Sequence, residues 1–146
     1  MMFLTDRITL TTALLEGNYP NYEQVIPTKF MKEIEIDKEA LGKTMRRMAI
    51  MTSEKTNAVK FEFSNGKIVL SSQTPDMGEG VEEIETAYKG EDITISFNPG
   101  YVLDVLKNIE DEKINFKITD SCGAGEIIPG DHEKRYINII MPIKLS

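Results

Sequence analysis

The chain has 146 residues, 40% of them apolar and 28% charged, and a formal net charge of −7. That describes one ordinary core rather than a disordered or fibrous chain, and it argues against indiscriminate binding to DNA or anionic lipid, though not against a local basic stripe. Cys122 and His132 are the only residues of their kinds, so an internal disulfide and a zinc site of the usual ligand set are both excluded, and a reducing cytoplasm fits best.

No run approaches the roughly 18 uninterrupted apolar residues of a membrane helix. The opening MMFLTDRITL lacks the basic-then-apolar order of a signal peptide. RITLTTALL, residues 7–15, alternates as one strand, and EGNYPNYEQVIP, residues 16–27, reads as an extended connector with two prolines. KEIEI is a strand, and DKEALGKTMRRMAIMT a helix with Asp37 as N-cap.

VKFEFSNGKIVLSS predicts a hairpin, with Asn65 and Gly66 supplying the positive φ angles of its turn. EEIETAY and DITISF alternate as further strands. NPGYVLDVLKNI is a second helix, with Asn98 as N-cap and Pro99 at its first position. KINFKIT and GEII follow as strands, PGD at Pro129–Asp131 is a turn, and the closing YINIIMPIKLS is an apolar strand with Pro142 inside it.

Residues of about 31 to 89 and of about 91 to 144 thus repeat one order, strand, helix and three strands. The expected fold is α+β: a duplicated βαβββ unit with two helices packed on antiparallel sheets. The N-terminal strand belongs to neither half.

On a helical wheel Leu41, Met45, Met48 and Ala49 form a core stripe. Lys43, Arg46 and Arg47 lie opposite, within an arc of roughly 100°. In the second helix Lys107 lies opposite Val102, Leu106 and Ile109. This basic face is either a solvated helix surface or a contact surface. Ile50 and Met51 fall off the core stripe at a helix end, which suggests contact with another surface. Glu79, Glu82, Glu83 and Glu85 read by default as a charged strand edge.

Catalytic chemistry is sparse. His132 sits in a turn, nothing in the spacing pairs it with Cys122 as a nucleophile, and SCGAGE lacks the residues of a phosphate loop. With 24 acidic residues, close carboxylate pairs arise by chance, so a hydrolase reading has little to rest on. The expectation is a binding or assembly protein, not an enzyme, with no cofactor and no metal.

EGNYPNYEQVIP, AIMTSEK, FNPGYVLDVL, ITDS and IIMPIKL occur in this order, and together they resemble the bacterial sliding clamp family, the beta subunit of DNA polymerase III. The resemblance covers nearly the whole chain but only the last third of a full-length clamp. It implies the DNA clamp fold, with residues 1–22 the last strand and connector of the preceding domain and residues 23–146 the C-terminal domain. It also implies a start at Met1 that is artificial or secondary, and a fragment or truncated gene product. A stand-alone module that competes for clamp partners is the alternative.

What the resemblance implies about function is a processivity factor of DNA replication. Two subunits form a homodimer ring around duplex DNA, with Lys43, Arg46, Arg47 and Lys107 facing the phosphates across water. Ile50, Met51, Glu79, Glu82, Glu83 and Glu85 would form the joint with the neighbouring subunit. The DNA polymerase III catalytic subunit, the clamp loader and repair polymerases would insert peptides with Leu and Phe anchors into a groove. Its wall in this chain would be Pro20, Gln24, Val25, Thr56, Asn98, Tyr101, Cys122, Ala124, Ile139, Met141, Pro142, Ile143 and Lys144. Gln24 and Lys144 stand where many clamps have arginine, and Thr56 where some have an aromatic.

Overall fold

The computed structural model describes residues 1–14, 17, 21–30, 32–52, 57–74, 78–131 and 136–144. Two short strands, β1 (Met2–Leu4) and β2 (Thr9–Thr11), pair as an antiparallel hairpin. This corrects the single N-terminal strand expected from RITLTTALL: three-residue strands are too short to carry a period-2 signal. All six strand residues of the hairpin are exposed.

The body then runs β3 (Lys32–Asp37), α1 (Lys38–Ile50), β4 (Val59–Ser64), β5 (Lys67–Thr74) and β6 (Gly78–Glu85). The same order returns as β7 (Ile93–Phe97), α2 (Pro99–Lys107), β8 (Lys113–Ile118), β9 (Gly125–Pro129) and β10 (Asn138–Ile140). The duplicated βαβββ order is therefore present, and the fold is α+β.

The halves are not separate sheets. One sheet has the order β10-β9-β8-β3 and the other β6-β5-β4-β7, all neighbours antiparallel. Each half thus gives its first strand to the other half's sheet: Ile34 stands opposite Phe116, and Phe61 opposite Ile95.

The alternating patterns place one face of each strand inward. Val59, Phe61 and Phe63 of β4 are buried while Lys60 and Glu62 are half-buried. Ile34 and Ile36 of β3 and Ile114, Phe116 and Ile118 of β8 face the same single core, as do Leu41, Met45 and Met48 of α1 and Val102 and Leu106 of α2. Phe61, Phe63 and Phe97 of one sheet close around Phe116 of the other, with ring centroids 6.0, 5.8 and 5.4 Å from it. Each fully buried ring contributes about 1.5–3 kcal/mol of hydrophobic stabilisation.

One further expectation needs correction, and one about the tail agrees with the structure. In the β4–β5 turn only Gly66 has a positive φ, +83°, since Asn57 is the sole non-glycine residue with positive φ among the described residues. One left-handed residue suffices because the turn is also stitched to the segment that follows β6: Gly66 N–H donates to the Tyr88 carbonyl and Thr86 N–H to that of Gly66, each at 2.9 Å. The closing strand stops at Ile140. Beyond it the tail leaves β9, and Ile143 N–H donates to the Ser96 carbonyl of β7 at 2.8 Å. Pro142 thus lies outside the ladder, where its missing donor breaks nothing.

Candidate functional site

The helix starts are fixed as the sequence suggests. The Asp37 carboxylate accepts from Ala40 N–H at 2.7 Å, and the Asn98 side chain accepts from Gly100 N–H at 2.8 Å, with Pro99 opening α2. Capping of this kind stabilises a helix by about 1 kcal/mol. The two helices pack on each other, and Lys43, Arg46, Arg47 and Lys107 are all exposed.

Their partners differ. Lys43 pairs with Glu39 at 2.7 Å one turn earlier, and Lys107 with Asp104 at 2.8 Å. Arg47 reaches across to β6, where its Nε and a terminal nitrogen donate to both oxygens of Glu82; Thr44 Oγ1 adds a third donor to that carboxylate at 3.1 Å. Arg46 has no ion pair among the described residues; Lys38 Nζ instead donates to the Ile109 carbonyl, at 2.8 Å. Arg47 and Glu82, expected in two different surfaces, therefore form one clasp between α1 and β6.

The clasp shifts both groups: the Arg47 hydrogen bonds hold the Glu82 carboxyl below its usual range, and Glu82 raises the Arg47 guanidinium. A carboxyl with a lowered folded value stabilises the native state above its ordinary titration range. That contribution is lost as pH falls through the folded value. The Tm difference between the wild type and Glu82→Gln is therefore expected to be largest at neutral pH and to shrink on acidification below the carboxylate range. A difference that stays constant across thermal melts at several pH values would contradict this.

Two of the concavities that α1 borders hold the cations of its outer face. One, of about 410 Å³, lies between α1 and β6 and carries Lys43 and Arg47 against Asp37, Glu82, Glu83 and Glu85. The other, of about 300 Å³, lies between α1 and α2 over Gly42 and Leu106 and carries Lys38, Arg46 and Lys107 against Glu39. A third, reached by Lys38 and Glu39, is lined by Asp37, Glu110 and Glu112.

At the helix end Ile50 is 67% exposed, as expected, but Met51 is half-buried. A methyl added at Gly80 of β6 would stand 3.3 Å from Met51 Cγ, and Ser72 of β5 donates to the Met51 carbonyl at 3.0 Å. Met51 is off the helical core stripe because it serves as the C-cap, packed on the sheet. Along β6, Glu79, Glu83 and Glu85 lie on one face, and Glu82 shares the other with buried Ile84. Val81, 58% exposed among these glutamates, is a candidate surface residue that the sequence reading missed; its parity with Glu79 and Glu83 was the available signal.

A third region gathers around the tail. Ile139 is in β10, and Ile140 stands opposite Gly125, next to buried Ala124. The Asp120 carboxylate accepts from Cys122 and Gly123 N–H at 2.7 and 2.6 Å, holding Cys122 in an exposed turn. The Ile143–Ser96 bond brings Met141, Pro142 and Ile143 beside β7 and the start of α2, where Asn98 caps the helix. Tyr101 in the first turn of α2 and Met141 are 62% and 60% exposed, and Lys144 is exposed. Gln24 and Val25 lie on a separate exposed 3-10 turn whose hydrogen bonds are internal. Pro20, Thr56 and His132 fall outside the described residues.

A family model described as DNA polymerase III beta subunit, C-terminal domain, matches residues 23–144. Among curated relatives, the beta sliding clamp of Streptococcus pneumoniae is 34% identical over 100% of this chain and 39% of its own length. That of Chlamydia muridarum is 35% identical over 93% of this chain and 36% of its own length. The crystal structure of the beta subunit from Pseudomonas aeruginosa superposes with a TM-score of 0.87 at 30% identity, covering 99% of this chain and 39% of that one. The Thermotoga maritima beta subunit gives 0.85 at 34% identity, over 99% of this chain and 39% of that one. The chain spans well under half the length of these relatives.

Proposed function

Because this chain belongs to the DNA polymerase III beta subunit, C-terminal domain family, we propose that it supplies one arc of a ring-shaped clamp that encircles duplex DNA and tethers the replication machinery to it. Residues 1–22 are then the end of the preceding domain and residues 23–146 the C-terminal domain. The observation that carries this reading is the solvent-facing row of Lys43, Arg46, Arg47 and Lys107 on two packed helices of a chain whose net charge is −7. Exposed cations on a helix face attract phosphates without reading sequence, which suits a protein that must slide. Ile50 and Val81 with Glu79, Glu83 and Glu85 form the joint with the neighbouring subunit of a homodimer. Met51 and Glu82 support that joint from behind.

The tail region is the partner groove. Tyr101, Cys122, Ala124, Ile139, Met141, Pro142 and Ile143 supply an apolar wall for a peptide with Leu and Phe anchors, the kind carried by polymerases and clamp loaders. An exposed methionine suits such a wall, being flexible and polarizable.

The 146-residue chain should bind a labelled peptide of this type weakly and saturably in fluorescence anisotropy. Met141→Ala is expected to weaken binding about tenfold, the effect of losing one central anchor contact. Unchanged affinity in a Met141→Ala chain with native circular dichroism overturns the groove assignment.

A further inference from the structure

The four cations of the helix face do not look onto the same electrostatic ground. Lys43 and Arg47 border the concavity toward β6, whose lining carries four carboxylates, Asp37, Glu82, Glu83 and Glu85, against those two bases. A phosphate entering there meets net negative charge. The concavity between the helices is the reverse: Lys38, Arg46 and Lys107 face a single carboxylate, Glu39, which Lys43 already holds at 2.7 Å.

Within that groove the three bases are unequally committed. Lys107 pairs with Asp104, and Lys38 Nζ is turned onto the Ile109 carbonyl, two residues past the end of α2. The guanidinium of Arg46 lies along its own helix: a Cβ built on Gly42 would stand 3.8 and 3.9 Å from its two terminal nitrogens and 3.8 Å from Leu106 Cδ1. The bare Gly42 backbone and the Leu106 side chain thus form the bed on which Arg46 rests, with no carboxylate paired to it among the described residues. A guanidinium in this state presents its planar set of donors to an oxyanion, and no ion pair has to be broken first.

We propose that Arg46, seated in the groove between α1 and α2, is the residue of this chain that contacts the phosphodiester backbone, and that Arg47 is a positioning residue that clasps β6 to α1. The inference rests on the duplex-facing reading above and assigns its two adjacent arginines opposite tasks. Lys107 and Lys38 border the same groove, but Lys107 is paired with Asp104 and Lys38 also faces Asp37, Glu110 and Glu112 on its other side.

The test is a titration of the 146-residue chain with a short blunt DNA duplex at low salt, followed by amide NMR shifts and by the salt dependence of affinity. Shifts are expected at Gly42, Arg46, Leu103 and Lys107, and not along β6. Arg46→Gln should lower the slope of log K against log salt by about 1, the signature of one lost phosphate contact. Arg46→Lys should restore it. Arg47→Gln should leave the slope unchanged while moving the amide signals of β6 around Glu82, and Arg47→Lys should return those signals toward their wild-type positions. Shifts centred on Thr44 and Glu82, or an Arg47→Gln slope that falls as far as that of Arg46→Gln with the fold intact, overturn the assignment and leave the clamp reading standing. A wild-type chain in which no amide on either helix responds to the duplex overturns both.

Discussion

Phe116→Ala is expected to lower the unfolding free energy by about 3–5 kcal/mol, the range for emptying a fully buried aromatic site. Phe116 has no solvent exposure and is the ring of the first sheet that touches Phe61, Phe63 and Phe97 of the second, at 6.0, 5.8 and 5.4 Å. The contacts to Phe61 and Phe63 are edge-on, with interplanar angles of 90° and 82°, a geometry that adds to simple area burial. Removing the ring deletes contacts to β4 and β7 across the core, and the surrounding rings, themselves anchored in the second sheet, collapse only partly into the space. A domain of this size has roughly 5–15 kcal/mol in hand, so the loss is a large share of it. Urea titration measures it; a midpoint close to that of the wild type at an unchanged slope would contradict the packing described.

Gly125→Ala should also destabilise, by about 1–3 kcal/mol, for the opposite reason. Gly125 opens β9 opposite Ile118 of β8 and Ile140 of β10. A methyl there would stand 2.8 Å from Phe116 Cε2 and 2.9 Å from Phe97 Cζ. Both rings are fully buried, so neither yields without displacing its own neighbours. The two effects share a partner and are therefore not additive. In a Phe116→Ala background the penalty of Gly125→Ala should shrink, because half of the obstruction has gone. Equal penalties in both backgrounds, read from the same titrations, would show that Gly125 is required for another reason.

Much of the body was legible from local chemistry. The caps Asp37 and Asn98, the opening Pro99 and the alternation in β3, β4, β5, β7 and β8 all state their structure within a few residues. The exchange of β3 and β7 was not legible, because periodicity tells which face of a strand is buried and says nothing about which strand lies beside it. The same limit governed the site. A wheel shows that Arg46 and Arg47 are on the outer side of α1; it cannot show that a carboxylate from β6 meets one of them and not the other. The parity of Glu82 with buried Ile84 was readable along β6 and would have set it apart from Glu79, Glu83 and Glu85. At the tail, Pro142 announced that the strand must end, while the crossing to Ser96 depends on where β7 lies in space.

The exchanged strands bear on how the chain is made as well as how it is held. Among the described residues β3 finds its sheet neighbour in β8, and β7 in β4. Emerging from a ribosome, Lys32–Asp37 therefore has no native edge to join until Lys113–Ile118 has been synthesised, and the four-stranded sheet of the second half cannot close on itself either. Pairings so distant along the chain make for slow, late-closing folding. A cut between Glu85 and Ile93 would leave two pieces, each holding a strand that the other lacks. They are interlocked partners in one act of folding, and the repeat that looks like two independent modules on paper is one indivisible unit in assembly.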